Sequence, residues 1–304
     1  MTVVVDHGPD TAAGQPPIAP SRWNRAFLSR AGGIVLCTIA VAVVCLLAEV
    51  GVIGRFEQSH DQSLDYASLR YQLANAIAPV GSRDYQGAPL ALGAPVALLS
   101  VPAIGLNEVV DEGTTAGVLE RGPGHRRDTV MPGQTGTSVI MGRDAAYGGP
   151  FHYISQLRAN DTIFVTTGQG TARYRVLDVR HAGDHDPVAP TAKDGRLTLI
   201  TASGVAYLPG DLVRVDSELI SAAQPDPGGN DVQIGADENP GAGDPGAWPQ
   251  IILWLQLLVL ASAGAFWART HWGRAQTWLL GVPVLAFLGL SLADQVARLL
   301  PNLT

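Results

Sequence analysis

Three long apolar runs divide this chain of 304 residues into membrane and non-membrane parts. The first covers residues 31–53, the second covers 248–268, and the third covers 277–293 within the segment 277–300. An α-helix needs about 20 predominantly apolar residues to cross the hydrocarbon core of a bilayer. The sequence therefore predicts one membrane-spanning helix near the N-terminus and two near the C-terminus, with residues 54–247 between the first and second.

Basic residues precede the first run and lie between the second and third, and acidic residues follow the first run. By the positive-inside rule, the tail 1–30 and the turn 269–276 are expected in the cytoplasm, with 54–247 outside the cell membrane. A cleaved signal peptide is the alternative for the first run. The run is longer than the apolar region of a usual signal peptide, which has about 7–15 residues, and no small-x-small cleavage site follows it. Both features favour a retained anchor. The basic residues are Arg22, Arg25, Arg30, Arg269, His271 and Arg274.

Charge and cysteine content exclude several functions. The net charge of -7 provides no basic footprint for nucleic acid. The only two cysteines, Cys37 and Cys45, lie inside the first apolar run. No disulfide framework, cysteine-type zinc site or thiol catalysis is therefore expected outside the membrane, and we expect no cofactor.

The segment between the first two spans has three parts. Helix-like apolar spacing in 54–87 predicts a stalk, and Pro, Gly and Asp without a basic residue in 223–247 predict a solvated linker without a core. Between them, 88–222 contains short β-type runs separated by Gly and Pro, which predict a mainly β domain, either a small closed barrel or a sandwich. The runs cover 95–101, 137–141, 162–166, 172–179, 197–201 and 212–215.

Eight motifs in this segment, in order and at suitable spacing, resemble the sortase family, most closely the actinobacterial housekeeping types of class E or D. The resemblance implies a closed sortase-like β-barrel displayed outside the membrane. The motifs are SVPAIG at 100–105, LERGPGH at 119–125, PGQTGT at 132–137, VIMGRD at 139–144, YGGPF at 147–151, DTI at 161–163, YRV at 174–176 and LTLITA at 197–202.

The resemblance also implies which positions would carry catalysis. Sortases cleave sorting signals of the LPxTG type with a cysteine nucleophile, a histidine acid and base, and an arginine. The corresponding positions here are Ala202, Arg143 and Asp211, so all three catalytic residues are replaced. We predict that these residues, with Ser203 and His125, surround a degenerate cleft. His125 belongs to the GPGH turn, where a structural role is expected.

Two hypotheses follow from the substitutions. Arg143 and Asp211 could form an ion pair across the cleft above Ala202. Ser203 could act as a substitute nucleophile, although strand alternation would turn it away from the site and a serine needs a base within reach. The loop sequence from His181 to Asp186 could bind a metal, but a solvated polar loop is favoured and no metal is expected.

The predicted function is therefore non-catalytic: a membrane-anchored sortase-like protein that acts as a binding or scaffold subunit at the cell envelope. Its expected partners are the membrane, other envelope or membrane proteins, and a peptide similar to a sorting signal. The alternative is a transpeptidase or hydrolase of the same fold with a nucleophile other than cysteine.

Overall fold

The computed structural model describes residues 22–185, 187–188, 191, 193–205, 208–229, 232–271 and 273–304. Eight strands in these ranges form one closed barrel in the order β1-β2-β3-β4-β7-β8-β6-β5. The pairs β2–β3 and β4–β7 are parallel, and the other neighbours are antiparallel. The strands are β1 Pro95–Val101, β2 Leu106–Glu112, β3 Gly124–His125, β4 Gly136–Met141, β5 Thr162–Thr167, β6 Gly170–Arg180, β7 Gly195–Val205 and β8 Leu208–Leu219.

The barrel interior is filled by the alternate side chains of its strands. In β6, Ala172, Tyr174 and Val176 are buried, whereas the residues between them are exposed. This follows from the two-residue period of a strand, which sends successive side chains to opposite faces. All six predicted β runs lie within observed strands. Of the two predicted architectures, barrel and sandwich, the structure has the closed barrel.

The helices lie mainly outside the barrel sequence. A π-helical turn, Glu49–Ile53, joins α1 to α2. Among the described residues, three helical stretches are long and apolar enough to cross a membrane: Val35–Ala74, Pro245–Arg269 and Ala275–Ala297. The predicted arrangement of one N-terminal and two C-terminal apolar helices is thereby confirmed. The helices are α1 Arg22–Ala48, α2 Gly54–Ala74, α3 Ala116–Leu119, α4 Trp248–His271 and α5 Arg274–Ala297.

Helix α2, predicted as a stalk, packs along the side of the barrel. The Gln62 side chain accepts a hydrogen bond from the Val109 N–H at 2.7 Å and donates to the Val109 carbonyl at 3.1 Å. Two further contacts reach Arg121, whose carbonyl accepts from Gln62 and whose guanidinium pairs with Asp65 at 2.6 Å. Residues Gly54–Ala74 are helical, as predicted for this part of the stalk. The polar face of this helix contacts the barrel as well as solvent.

The acidic segment before α4 differs from the predicted solvated linker. Glu238 is only 2% exposed, and its carboxylate accepts a hydrogen bond from Arg127 Nε at 3.0 Å. Its carbonyl accepts from the Thr114 hydroxyl at 2.7 Å. The prediction of a segment without buried contacts was wrong because Arg127 lies far away in the sequence, where composition could not indicate a partner.

The long helices at both ends of the chain also contact the barrel directly. In the loop after β4, Ala146 and Tyr147 pack with Ala297 near the end of α5. The Tyr147 ring also lies against Gly54, where a Cβ atom would come within 2.6 Å of it. The loop after β4 therefore fixes the barrel against the helices at both ends of the chain.

Candidate functional site

The cleft lies on the outer face of β4 and β7, over Ala202. Strand alternation places Ala202 and Ile200 on this face, while Leu199 points into the barrel core. The parallel neighbour β4 contributes Met141, which pairs in register with Ile200. Leu119, at the end of α3, covers one side. The result is an apolar surface with the Ala202 methyl group at the position predicted for the nucleophile.

A distant part of the chain occupies this surface. Leu303, which follows α5, is fully buried in the same cluster as Leu119, Met141, Ile200 and Ala202. Its carbonyl accepts a hydrogen bond from the Asp144 N–H at 2.9 Å. No local sequence pattern indicates this contact, because Leu303 follows an apolar helix from which it cannot be distinguished by composition.

The Arg143 side chain points into the protein interior, towards α3. Its side chain is 0% exposed, donates to the Ala116 carbonyl at 3.1 Å and donates to the Leu119 carbonyl at 3.2 Å. The Ala116 carbonyl also accepts a hydrogen bond from the Glu120 N–H at 3.1 Å. The two carbonyls belong to the short helix α3, so Arg143 binds this helix to the loop after β4. The preceding Gly142 lies against the ring of Phe151, which a Cβ atom would approach to 2.6 Å.

A carboxylate connects Arg143 to the membrane helices. Glu120 lies 3.6 Å from Arg143 and 3.5 Å from Arg298, which follows α5. The Arg143 guanidinium also lies 4.8 Å from the centre of the Tyr147 ring. Burial raises the pKa of Glu120 to about 7 against the opposing effect of the two arginines, and burial lowers the pKa of Arg143. We call Arg143, Glu120 and Arg298 the charged clamp.

The predicted ion pair between Arg143 and Asp211 is wrong. Asp211 lies near the start of β8 and is partly exposed. Its carboxylate accepts hydrogen bonds from the Ala182 N–H at 2.8 Å and the Leu212 N–H at 2.6 Å. These bonds lower the pKa of the Asp211 carboxyl. Arg143 instead turns towards α3 because the carbonyls there and Glu120 are nearer partners for a buried cation.

Ser203 pairs across the β7–β8 hairpin with Asp211 and is partly exposed. The pairing is followed by an irregularity between Ser203 and Gly204, where the φ angle of Gly204 is 123°. Up to that point the strand alternates, so Ser203 and Ala202 lie on opposite faces. The structure thus brings Ser203 next to a carboxylate but away from the apolar surface of the cleft.

His125 does not line the cleft, contrary to its place among the candidate cleft residues. It is 0% exposed on β3, with Nδ1 2.9 Å from the Glu112 carboxylate and Nε2 3.0 Å from the Val130 carbonyl. Burial opposes protonation, but Glu112 outweighs it and the pKa of His125 is raised. A doubly donating imidazolium paired with Glu112 fits these contacts, in agreement with the structural role expected for the GPGH turn.

The buried acids of β2 give the barrel an unusual pH dependence. Burial raises the pKa of Asp111 to about 8 and that of Glu108 to about 7. The folded state therefore retains protons that the unfolded carboxyls release near pH 4, and stability should fall as pH rises from about 5 to 8. The raised pKa of His125 acts in the same direction, since its contribution is lost as pH rises through the folded value.

We expect hydrogen-exchange protection of β2, corrected for the intrinsic exchange rate, to decrease over this pH range. Asp111→Asn should flatten the dependence because an amide does not titrate. Asp128→Asn is the matched control, since Asp128 pairs with Arg126 nearer the surface. Protection that increases from pH 5 to 8 would contradict the assignment.

The loop that begins at His181 shows no sign of a metal site. Among the described residues, no group of three or more His, Cys, Asp or Glu side chains could hold an ion. Asp184 accepts a hydrogen bond from the His181 N–H at 2.8 Å, which closes a polar turn. Asp186, the last residue of the predicted motif, lies outside the described residues.

The geometry defines a closed eight-stranded barrel with an apolar cluster around Ala202 on the outer faces of β4 and β7. The family model of the sortase domain matches residues 99–213, which include most of the barrel. The barrel is therefore a sortase-family domain, and the predicted fold class is confirmed.

Solved structures give the same family name. A sortase D5 transpeptidase from Clostridium perfringens is 22% identical, with a TM-score of 0.44, and the match covers 53% of this chain and 99% of that one. Sortase E from Streptomyces avermitilis is 28% identical, with a TM-score of 0.37 and coverage of 43% and 91%. Sortase C-1 from Actinomyces oris is 25% identical, with a TM-score of 0.38 and coverage of 42% and 75%. No curated protein matches the chain.

Proposed function

We propose that this chain is a membrane-anchored, catalytically inactive sortase-fold protein that acts as a binding or scaffold subunit at the cell envelope. The barrel would lie on the extracytoplasmic side, held by the three apolar helices. The observation that carries the proposal is the Ala202 methyl group on the cleft surface, 4% exposed and packed among apolar side chains. A methyl group cannot attack a carbonyl carbon, so the cleft offers contact surface in place of a nucleophile.

The other two substituted positions support the same proposal. Arg143 is fully buried and bonded to backbone carbonyls, and a guanidinium remains protonated, so it cannot serve as a general base. Asp211 stands where the family resemblance implies an arginine that stabilises an oxyanion, and a carboxylate supplies no such positive charge. Activity would therefore require more than one restored residue.

We expect the full chain in lipid nanodiscs to produce no turnover of a fluorogenic LPxTG-type peptide with triglycine as the acceptor amine. Ala202→Cys alone should also remain at background, because the thiol would have no histidine to deprotonate it. Peptide cleavage and transpeptidation products, quantified by mass spectrometry against an active sortase, provide the measurement.

Ser203→Ala is the informative control for the alternative enzyme. Ser203 lies opposite Asp211, so a serine-based hydrolase or transferase would use this residue. Turnover by the parent chain that disappears in Ser203→Ala would overturn the proposal and establish that alternative.

A further inference from the structure

The segment after α5 returns from the helix to the barrel and becomes buried there. Asn302 and Leu303 are 0% exposed, and Thr304 is 2% exposed. The Thr304 N–H donates to the Pro301 carbonyl at 3.1 Å, which folds the segment into a turn over the cleft. Burial of this kind is unusual for a polar stretch that follows a membrane helix.

Asn302 is bound by its backbone and by both ends of its side chain. Its Nδ2 donates to the Thr114 carbonyl at 2.9 Å and to the Asn239 carbonyl at 3.1 Å. Its Oδ1 accepts from the Gly241 N–H at 2.9 Å, and its own N–H donates to the Ala242 carbonyl at 2.8 Å. A buried amide with its donors and acceptor all paired indicates a specific binding site.

Leu303 adds an apolar contact to this polar one. Its side chain packs on Leu119, Met141, Ile200 and Ala202, and its carbonyl accepts the Asp144 N–H. Ala202 and Leu303 are both buried in this cluster, so the alanine methyl group forms part of the surface that surrounds Leu303. The alanine thus has a positive role in the packing, beyond the loss of a nucleophile.

We propose that the cleft over Ala202 is a binding site for the chain's own segment 301–304, which acts as an intramolecular peptide ligand. The class of ligand is a short peptide, folded in a turn, with an amide side chain followed by a branched aliphatic residue. An external peptide can enter this site only after Leu303 leaves it. This inference deepens the proposed function, because it assumes that the cleft binds and does not catalyse.

The charged clamp connects this ligand to the membrane. Arg298 lies 3.5 Å from both Glu120 and Asp294, and Glu120 in turn contacts Arg143 beneath the cleft. A shift of α5 relative to the barrel would therefore strain the clamp and the ligand segment together. Tethering also gives the ligand a high effective concentration at the site, so weak contacts suffice to keep it bound.

The test uses cysteine accessibility in the full chain in nanodiscs, in a Cys37→Ser, Cys45→Ala background. Ala202→Cys should react with a water-soluble maleimide at least about tenfold more slowly than Ser203→Cys, since Ala202 is covered and Ser203 is partly exposed. Adding Leu303→Ala should accelerate labelling at position 202 by roughly tenfold or more, and labelling at 203 by less than about twofold.

A disulfide provides a second, independent test. The pair Ala202→Cys and Leu303→Cys should form a disulfide readily on mild oxidation, whereas Ser203→Cys with Leu303→Cys should not, because Ser203 faces the other way. Rapid labelling of Ala202→Cys while Leu303 is unchanged would contradict the proposal that segment 301–304 occupies the cleft. Equal disulfide yields from the two cysteine pairs would contradict it too. Either result would leave the proposed non-catalytic function standing. Turnover in the sorting-peptide assay would instead overturn the proposed non-catalytic function.

Discussion

Replacing Arg143 with alanine is expected to lower the free energy of unfolding of the barrel by about 3–5 kcal/mol. The substitution removes a fully buried guanidinium that binds the Ala116 and Leu119 carbonyls, and it takes away one of the two arginines that pair with Glu120. Removing one member of a buried charged network costs more than the net value of the interaction, because the remaining group stays desolvated. The measurement is hydrogen exchange of β4 and β7 peptides in the full chain.

Two controls separate this effect from a general loss of charge. Arg126→Ala removes a surface arginine paired with Asp128 and should cost about 0–1 kcal/mol. The double variant Arg143→Met, Glu120→Gln removes both buried charges at similar volume and should recover part of the loss. An Arg143→Ala variant as stable as Arg126→Ala would show that the charged clamp contributes nothing to the fold.

Glu112→Ala is expected to destabilise the barrel by about 3 kcal/mol at pH 7. Glu112 and His125 are both 0% exposed, and the carboxylate is the partner that raises the pKa of the histidine. Without Glu112, the imidazole must either remain charged without a counter-ion or lose its proton. The variant should therefore also lose the part of the pH dependence that His125 contributes above pH 6.5, measured by exchange of β3 and β4 peptides.

Glu218→Ala is the matched control for this acidic residue. Glu218 pairs with Arg175 on the barrel surface, where both side chains are well exposed, so its removal should cost at most about 1 kcal/mol. If Glu112→Ala has the same small effect at pH 7, or leaves the pH dependence unchanged, His125 is not held as a charged partner of Glu112.

The sequence predicted the strands whose side chains follow a simple apolar pattern. β1 was predicted at its observed bounds, Pro95–Val101, and β6 and β7 were recognised from their interiors. β2 was missed because it ends in Asp111 and Glu112, two buried carboxylates that resemble surface residues in a composition pattern. β3 was missed because Gly124–His125 is only two residues long.

Long-range contacts account for the errors at the site. Asn302 binds the Thr114 carbonyl across 188 positions of sequence, and Arg127 binds Glu238 across 111. Local periodicity contains no information about such pairs, because each partner has an ordinary polar identity in its own neighbourhood. The same limitation led to the wrong pairing of Arg143 with Asp211 and to the placement of His125 at the cleft.

What the sequence by itself determined is residue identity and local pattern: an alanine at the position predicted for the nucleophile, three apolar helices, and motifs that match a sortase-family domain over residues 99–213. These depend on residue type and local order alone. Only the tertiary structure decided that Arg143 supports α3, that His125 is buried against Glu112, and that Leu303 covers Ala202. Each of these depends on which distant surfaces meet once the barrel closes and α5 packs beside it.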